Sequence, residues 1–410
     1  MKAKNLRDAL NILEPEKSLQ TAEELRDYFV ERPFSPIEEL VILLNETADP
    51  HKILFTGHRG SGKSTELFKL ATEVHEKFFT INYSIMSKLN LYDLKYVDVL
   101  FSLGLELVGE AINQKLPIKE SVLNHFLNFT KEITKEVEVG VYKKAEVGGR
   151  LNFIVAKLSG KLSTEDRTRT IIREKISPRL SDLIENISFI SKEMERVTQR
   201  KILFIIDHLD KVDLDTAKHL FFAHANALLA PPISIIYTFP TALRFDNDFI
   251  QISNYFPSTF VLPNIKTTKR EGRTAEKKGL NLLQEILSKR VEKNLYSPNA
   301  MLKLAKYSGG IPRELIVLGR MACLEAMKSN KAVIDQEAVE QAARSKRRDY
   351  QVLLSQDQLK LLKKVRDSQK VDNDAAHREL LHNLSVLEYR DGDVWYDVHP
   401  IIEPLLSEIT

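Results

Sequence analysis

Ile53-Leu54-Phe55-Thr56-Gly57-His58-Arg59-Gly60-Ser61-Gly62-Lys63-Ser64 joins an apolar run of strand character to a glycine-rich turn that ends in lysine and serine. It satisfies G-x-x-x-x-G-K-[ST] in the context that pattern requires, behind a strand and ahead of the helical Glu66-Leu67-Phe68-Lys69-Leu70. The glycines let the backbone curl so that successive N–H groups face a polyphosphate, and the helix behind Ser64 adds the partial positive charge of its N-terminus. Lys63 is expected to reach the β- and γ-phosphates and Ser64 to ligate Mg²⁺. Gly57, His58, Arg59, Gly60, Ser61, Gly62, Lys63, Ser64 and Thr65 are thus the expected nucleotide-contacting run.

Working outward, Phe78 to Ser84 reads as a second buried strand, and the next comparable signal is Ile202-Leu203-Phe204-Ile205-Ile206. Asp207 closes that run and is followed by His208-Leu209-Asp210. A buried strand ending in aspartate delivers a carboxylate to the edge of the sheet where Mg²⁺ and the γ-phosphate are expected, which makes Asp207 a metal ligand with Ser64. A third strand, Ile233 to Thr238, ends in a hydroxyl placed either to sense the γ-phosphate or to cap a turn. Over a hundred residues separate the second and third of these runs, mostly of helical pattern. Val137, Val139 and Val141 alternate with other residues before Gly148-Gly149, which predicts a β-hairpin over 137–158. A long helix is expected from about Asp166 to Thr198, interrupted near Pro178. Ahead of the loop strand, Ser35-Pro36-Ile37 carries an N-cap serine and a proline at the first helical position.

Composition narrows the class. The 410 residues, 43% apolar, suffice for two or three cores. The single Cys323 excludes an internal disulfide and a cysteine metal cluster and suits a reducing, cytoplasmic setting. No leader pattern is read at Met1 to Lys17. The longest apolar stretch, Val97 to Ile112, carries Asp98, Glu106 and Glu110, so no membrane span is expected. Sixty basic and 57 acidic side chains leave a net charge of +3, which gives no whole-protein mandate for nucleic acid. No H-E-x-x-H pattern or cysteine pair accompanies the loop, so chemistry other than nucleotide hydrolysis would have to come from a partner.

Past a basic connector, Lys266 to Lys278, helical periodicity resumes in Leu280 to Lys293 and Asn299 to Tyr307. Ser308-Gly309-Gly310-Ile311-Pro312-Arg313 then breaks and restarts a helix, with Arg313 in its first turn. Helices near Gln356 to Ser368 and Asn373 to Leu384 precede Val386 to Arg390, the turn Asp391-Gly392 and Val394 to Val398. Two helices followed by a hairpin describe a winged helix.

This order of parts resembles the AAA+ and STAND ATPases, most closely the initiator-like, origin-recognition-type branch with a helical lid and a C-terminal winged helix. The resemblance rests on Gly57 to Ser64 as Walker A, Phe204 to Asp207 as Walker B, Thr238 at the first sensor position and Gly309 to Arg313 as the lid motif. It implies an α/β P-loop NTPase whose parallel-sheet core spans 51–265 with a helical and β-hairpin insertion at about 86–200. A helical lead-in (1–50), a helical lid (279–348) and a winged-helix domain (349–410) complete the expected organisation. It further implies ATP and Mg²⁺ as cofactors, Lys63, Asp207, Asp210, Thr238 and Arg313 as the catalytic and sensing set, and Arg32 and Pro33 against the adenine. Members of the superfamily place a glutamate after the Walker B aspartate, where this chain has His208, so slow hydrolysis is expected, with Asp210 as the nearest carboxylate. Arg244 is the arginine expected to act across a subunit boundary; Arg173 and Arg290 are read instead as helix-surface charge pairs.

Two functions are compatible with these motifs: a switch that oligomerises and signals to a protein effector, as STAND ATPases do in antiviral defence or conflict systems, and an initiator-like ATPase that assembles on DNA. The helix Ala376 to Asn383 offers only one arginine and the wing Asp391-Gly392-Asp393 is acidic, which favours the switch. Arg344-Ser345-Lys346-Arg347-Arg348 either tracks phosphates or simply complements a helix C-terminus.

Overall fold

Strands β1 (Lys52–Thr56), β2 (Phe78–Ser84), β3 (Lys201–Asp207), β4 (Ser234–Phe239) and β5 (Ser258–Val261) form one sheet in the order β2-β3-β4-β1-β5 in the computed structural model, which describes residues 2–139 and 147–407. Every neighbouring pair is parallel. Both faces are covered, which explains why β1, β3 and β4 read as unbroken apolar runs with no alternation. Tyr237 of β4 pairs with Leu54 on one side and Ile206 on the other, so Gly57 and Asp207 leave the same edge of the sheet. Strand order thus brings together two motifs 150 residues apart.

Helices Ile37–Glu46 and Lys63–Glu73 cover one face through Leu40, Leu44, Leu67 and Leu70 against Ile53, Phe55 and Ile205. Ser35 does not cap the first of these as expected: Pro36 takes the cap position, and the Ser35 hydroxyl donates to Glu66 Oε2 at 2.9 Å. The other face meets the long insertion, helices Tyr96–Asn113, Glu120–Glu136, Val147–Thr164, Asp166–Ile176 and Leu180–Thr198. The break near Pro178 is present as a 3₁₀ turn over Ser177–Arg179.

The hairpin expected over 137–158 is corrected. Residues from Val147 onward are helical, with Leu151, Val155, Leu158 and Leu162 buried at helical spacing. Val137 and Val139 owe their alternation to the end of helix Glu120–Glu136, where both are buried in the insertion core. Val141, Lys143 and Lys144 lie outside the described residues.

Helices Lys277–Ser288, Ala300–Tyr307, Pro312–Lys328 and Gln336–Leu353 form a second layer with its own core. The N-terminal helix Leu6–Ile12 belongs to it: Ala3 bridges Val291 and the Cys323 thiol donates to Leu6 O. Helices Gln356–Ser368 and Ala375–His382 follow, then the antiparallel pair β6 (Val386–Asp391) and β7 (Asp393–Val398), turned at Gly392 with φ +92°. Among the described residues no helix is long and apolar enough to cross a membrane.

Candidate functional site

The turn after β1 adopts the backbone its glycines allow. Gly60 and Gly62 have φ of +81° and +100°, and each is crowded by an arginine. A Cβ on Gly60 would lie 2.7 Å from Arg313 Cβ, and one on Gly62 2.8 Å from Arg32 Nη2. Both positions therefore favour glycine for conformation, and Gly60 for space as well. Lys63 opens the following helix and is 5% exposed. Its ammonium donates to Gly57 O (2.7 Å) and His58 O (2.9 Å) and pairs with Asp210 Oδ2 at 2.8 Å.

Asp210 is thereby explained. Burial alone would push its carboxyl up, but the Lys63 ammonium outweighs burial and holds it below the usual carboxylate range. Asp207 stays partly exposed at the cavity wall, where its Oδ1 accepts the His208 N–H at 2.7 Å. His208 has φ +72°, and its Nδ1 lies 2.8 Å from Ser84 Oγ at the end of β2. Burial lowers the pKa of this imidazole, which favours the neutral ring.

Around these groups lies one cavity walled by the loop, Asp207, His208, Asp210, Lys211 and three arginines, Arg32, Arg290 and Arg313. Arg32 reaches in from the segment before the helix Ile37–Glu46, donates to Ser61 O at 2.6 Å and pairs with Glu66 at 3.1 Å. Burial raises the Glu66 carboxyl despite that guanidinium, and Arg32 Nη1 has no partner among the described residues. Arg313 comes from the first turn of helix Pro312–Lys328: its backbone N–H donates to Gly60 O (3.1 Å) and its guanidinium to Pro15 O (3.3 Å). Arg290, read from the sequence as a surface charge, instead stacks over Tyr28 at 5.3 Å and bonds Ile286 O, buried enough that its pKa falls to about 10. Arg173 is likewise not an i,i+4 pair; it clamps Asp93 and Asp98 within the insertion.

The opposite side of the loop faces the C-terminal elements. His58 is 3% exposed, and its Nε2 accepts the Glu388 N–H of β6 at 2.8 Å, which fixes the neutral ring; burial lowers its pKa to about 4. Arg59 donates to Lys211 O (3.1 Å) and to His382 Nε2 (3.0 Å) at the end of helix Ala375–His382. Arg244 is engaged within the chain, gripping both oxygens of buried Glu388 at 3.0 and 2.9 Å. Asn264 Nδ2 donates to Glu388 O, and Tyr389 Oη donates to Gly309 O. The acidic hairpin turn is also used: Asp391 pairs with Lys266 and Asp393 with Arg270. Neither His382 nor Glu388 carried a local signal for this docking, because the partners they meet across it, Arg59, His58 and Arg244, lie over 100 residues away in sequence.

Of the expected residues, the cavity wall gathers Arg32, Arg59, Gly60, Gly62, Lys63, Ser64, Thr65, Asp207, Asp210 and Arg313. Thr65 Oγ1 accepts from Leu19 N at 3.3 Å. Gly57 and His58 line a small neighbouring space below the loop, and Pro33 lines a separate cavity. Ser61 is fully buried under the loop, with its Oγ unpartnered among the described residues. Thr238 is fully buried outside the cavity; its hydroxyl accepts from Leu209 N (2.9 Å) and donates to Ile206 O, the turn-capping role of the two expected.

The sequence model of the KAP family P-loop domain matches residues 35–239, half of the chain. This chain belongs to the KAP family of P-loop NTPases. The family segment begins just before the helix that leads into β1 and ends with β4, so it encloses the loop, Asp207 and the whole insertion. No curated protein matches the chain. Among solved structures it is similar to Cdc6p of Pyrobaculum aerophilum (12% identity, TM-score 0.41, 97% of each chain covered). It is also similar to the Orc1 protein of Aeropyrum pernix solved with DNA (13%, 0.42, 97% and 96%). A third is the Walker-type ATPase paby2304 of Pyrococcus abyssi (15%, 0.45, 97% and 99%).

Proposed function

We propose that this KAP-family NTPase is an ATP-dependent switch whose C-terminal helix-and-hairpin unit, residues 349–410 read as a winged helix, holds the phosphate loop until nucleotide arrives. One observation carries this reading: consecutive loop residues His58 and Arg59 are bonded to Glu388 and His382 while the next titratable residue of the loop, Lys63, is bonded to Asp210. For Lys63 to meet a phosphate it must exchange that partner, and the loop it anchors also carries the C-terminal contacts.

The residues fit ATP and Mg²⁺. Gly60 and Gly62 add no side chains of their own to the cradle, Ser64 and Asp207 supply a hydroxyl and a carboxylate for the ion, and Arg32 keeps one unpartnered nitrogen. When bound, Mg²⁺ supplies neutralisation of phosphate charge. Arg313 would report the phosphate to the lid through the helix Pro312–Lys328. His208 stands where the resembled superfamily carries a glutamate, so turnover should stay below about 10 s⁻¹, the median for enzymes. Arg244 becomes free to reach a neighbouring subunit only when Glu388 releases it, which ties assembly to nucleotide state. Assembly on DNA through helix Ala375–His382 is less favoured, because Arg378 already bonds Phe245 O and the hairpin acids pair with Lys266 and Arg270.

Light scattering coupled to gel filtration tests the proposal. A larger species with a non-hydrolysable ATP analogue but not with ADP, absent in Lys63→Ala, supports the switch. One mass in every nucleotide state overturns it, and growth only with duplex DNA assigns the chain to DNA assembly.

A further inference from the structure

The basic connector, residues 266–278, is folded although Lys269, Lys277 and Lys278 are exposed. Lys269 N donates to Thr274 O (2.8 Å) and Glu276 N to Thr267 O (3.0 Å), folding it back on itself. Gly279 lies so close to the connector that a Cβ there would come within 1.9 Å of Lys266 O. This packing, with residues 32–34 and Arg390 of β6, encloses a second cavity of about 400 Å³ that is distinct from the one at the phosphate loop. We propose that it binds a phosphorylated small molecule carrying a flat ring, a nucleotide being the simplest example.

The lining supplies both halves of that ligand. Lys266, Lys269, Lys278 and Arg390 face it with Glu276 as the only carboxylate, and Lys269 and Lys278 form no ion pair among the described residues. Pro33, Ile265 and Leu282 give apolar walls. At the rim Phe34 is 70% exposed with φ +72°, a conformation unusual for a bulky residue, and Lys266 Nζ lies 6.0 Å from its ring. Lys266, the cation by the ring, is paired with Asp391, whereas Lys269 and Lys278 line the same cavity without an ion pair among the described residues; an exposed ring and uncompensated cations in one cavity are the elements that stack a base and hold its phosphate. The volume falls in the range of small-molecule sites, too small for a duplex. Asn264, 5% exposed in the wall, leaves its Oδ1 without a partner among the described residues.

The site touches both moving parts of the proposed switch. Arg32 lines this cavity and the nucleotide cavity, while Arg390 and Lys266 hold Glu388 and Asp391 of β6. Its effect on the switch rests on the reading above; its occupancy does not.

Pyridoxal 5′-phosphate is a suitable probe, since it joins a ring and a phosphate to an aldehyde that condenses with a lysine amine, releasing water; borohydride then reduces the imine. The full chain is labelled with the phosphate loop saturated by a magnesium-bound, non-hydrolysable ATP analogue, and modified lysines are mapped by mass spectrometry. Lys269 or Lys278 should be labelled first. AMP should protect at about tenfold lower concentration than ribose 5-phosphate, which has the charge without the ring. Lys269→Glu should abolish the protection read at Lys278, Lys278→Glu that read at Lys269, and Phe34→Ala should remove the advantage of AMP while leaving circular dichroism unchanged. Labelling spread evenly over surface lysines, or equal protection by the two phosphates, overturns the proposal. Protection that disappears in Lys63→Ala assigns binding to the phosphate loop and overturns it as well. Because occupancy is read directly, failure here is distinguishable from failure of the switch, which light scattering reports.

Discussion

The phosphate loop has two sides, and they are built differently. Toward the cavity, Lys63, Ser64 and Asp207 sit at the ends of elements of one sheet, held by strand register and helix start. Toward the C-terminus, His58 and Arg59 are held by His382 and Glu388, more than 300 residues away in sequence. The first side is held by the register of the sheet; the second exists only while another unit of the chain is docked. On the proposed switch, a loop bonded on both sides would disturb its C-terminal contacts when it rearranges for a phosphate, which would make it a point of coupling.

Perturbations on each side should separate these roles. Arg244→Ala strikes the docked side hardest, because it leaves buried Glu388 with only the more exposed Arg390. Breaking a buried pair costs about 3 kcal/mol, here at the low end because one partner remains. Thermal unfolding should reveal the loss, and nucleotide affinity should rise; a stable variant with unchanged affinity would show that the two sides are independent. Lys63→Ala acts on the cavity side, with an expected loss of about 100-fold in affinity for magnesium ATP by calorimetry. Retained affinity would remove Lys63 from the site.

Acid should act on the docked side through His58. His58 has a pKa of about 4 in place of 6.5, so it is neutral when docked and takes up a proton when released. Its contribution is complete above pH 6.5 and is lost as pH falls toward 4. Between pH 6.5 and 5 the loss is about 2 kcal/mol, at 1.36 kcal/mol per pKa unit. Buried His399, lowered to about 3, adds a slope of the same sign, so the difference between wild type and His58→Gln isolates this group. Equal slopes in both proteins would contradict the docked geometry. Arg59→Ala should have the smallest effect, about 1 kcal/mol for the bonds to Lys211 O and His382, seen as a modest fall in chemical-denaturation midpoint.

The same asymmetry governs how much was legible in the sequence. The cavity side was readable because backbone geometry dictates residue type: Gly60 and Gly62 have positive φ and arginines at their backs, so glycine is favoured, and Asp207 ends a strand whose burial demands an apolar run. Four of the five strands were read from such runs; β5 and the order of the strands were not. Lys63 paired with Asp210 was not legible, since a short helical turn must first bring Asp210 under the loop. The docked side had no signature either. His58 reads as a variable position of its motif and Glu388 as one residue of a strand, and only their packing makes them partners. Arg244 was singled out for a role between subunits, yet the intramolecular acid that holds it lies 144 residues away. The misread hairpin has a different origin: Val137 and Val139 alternate at a helix end, where two buried residues spaced by two need no strand.

Hydrogen exchange of the backbone amides of β6 tests the coupling most directly. Glu388 N–H is donated to His58 at 2.8 Å, so its protection reports whether the C-terminal unit is docked on the loop. Addition of a magnesium-bound, non-hydrolysable ATP analogue should accelerate exchange over residues 386–391 by at least about tenfold, and Lys63→Ala should abolish that response. Unchanged protection of β6 with the loop saturated by nucleotide would contradict the account.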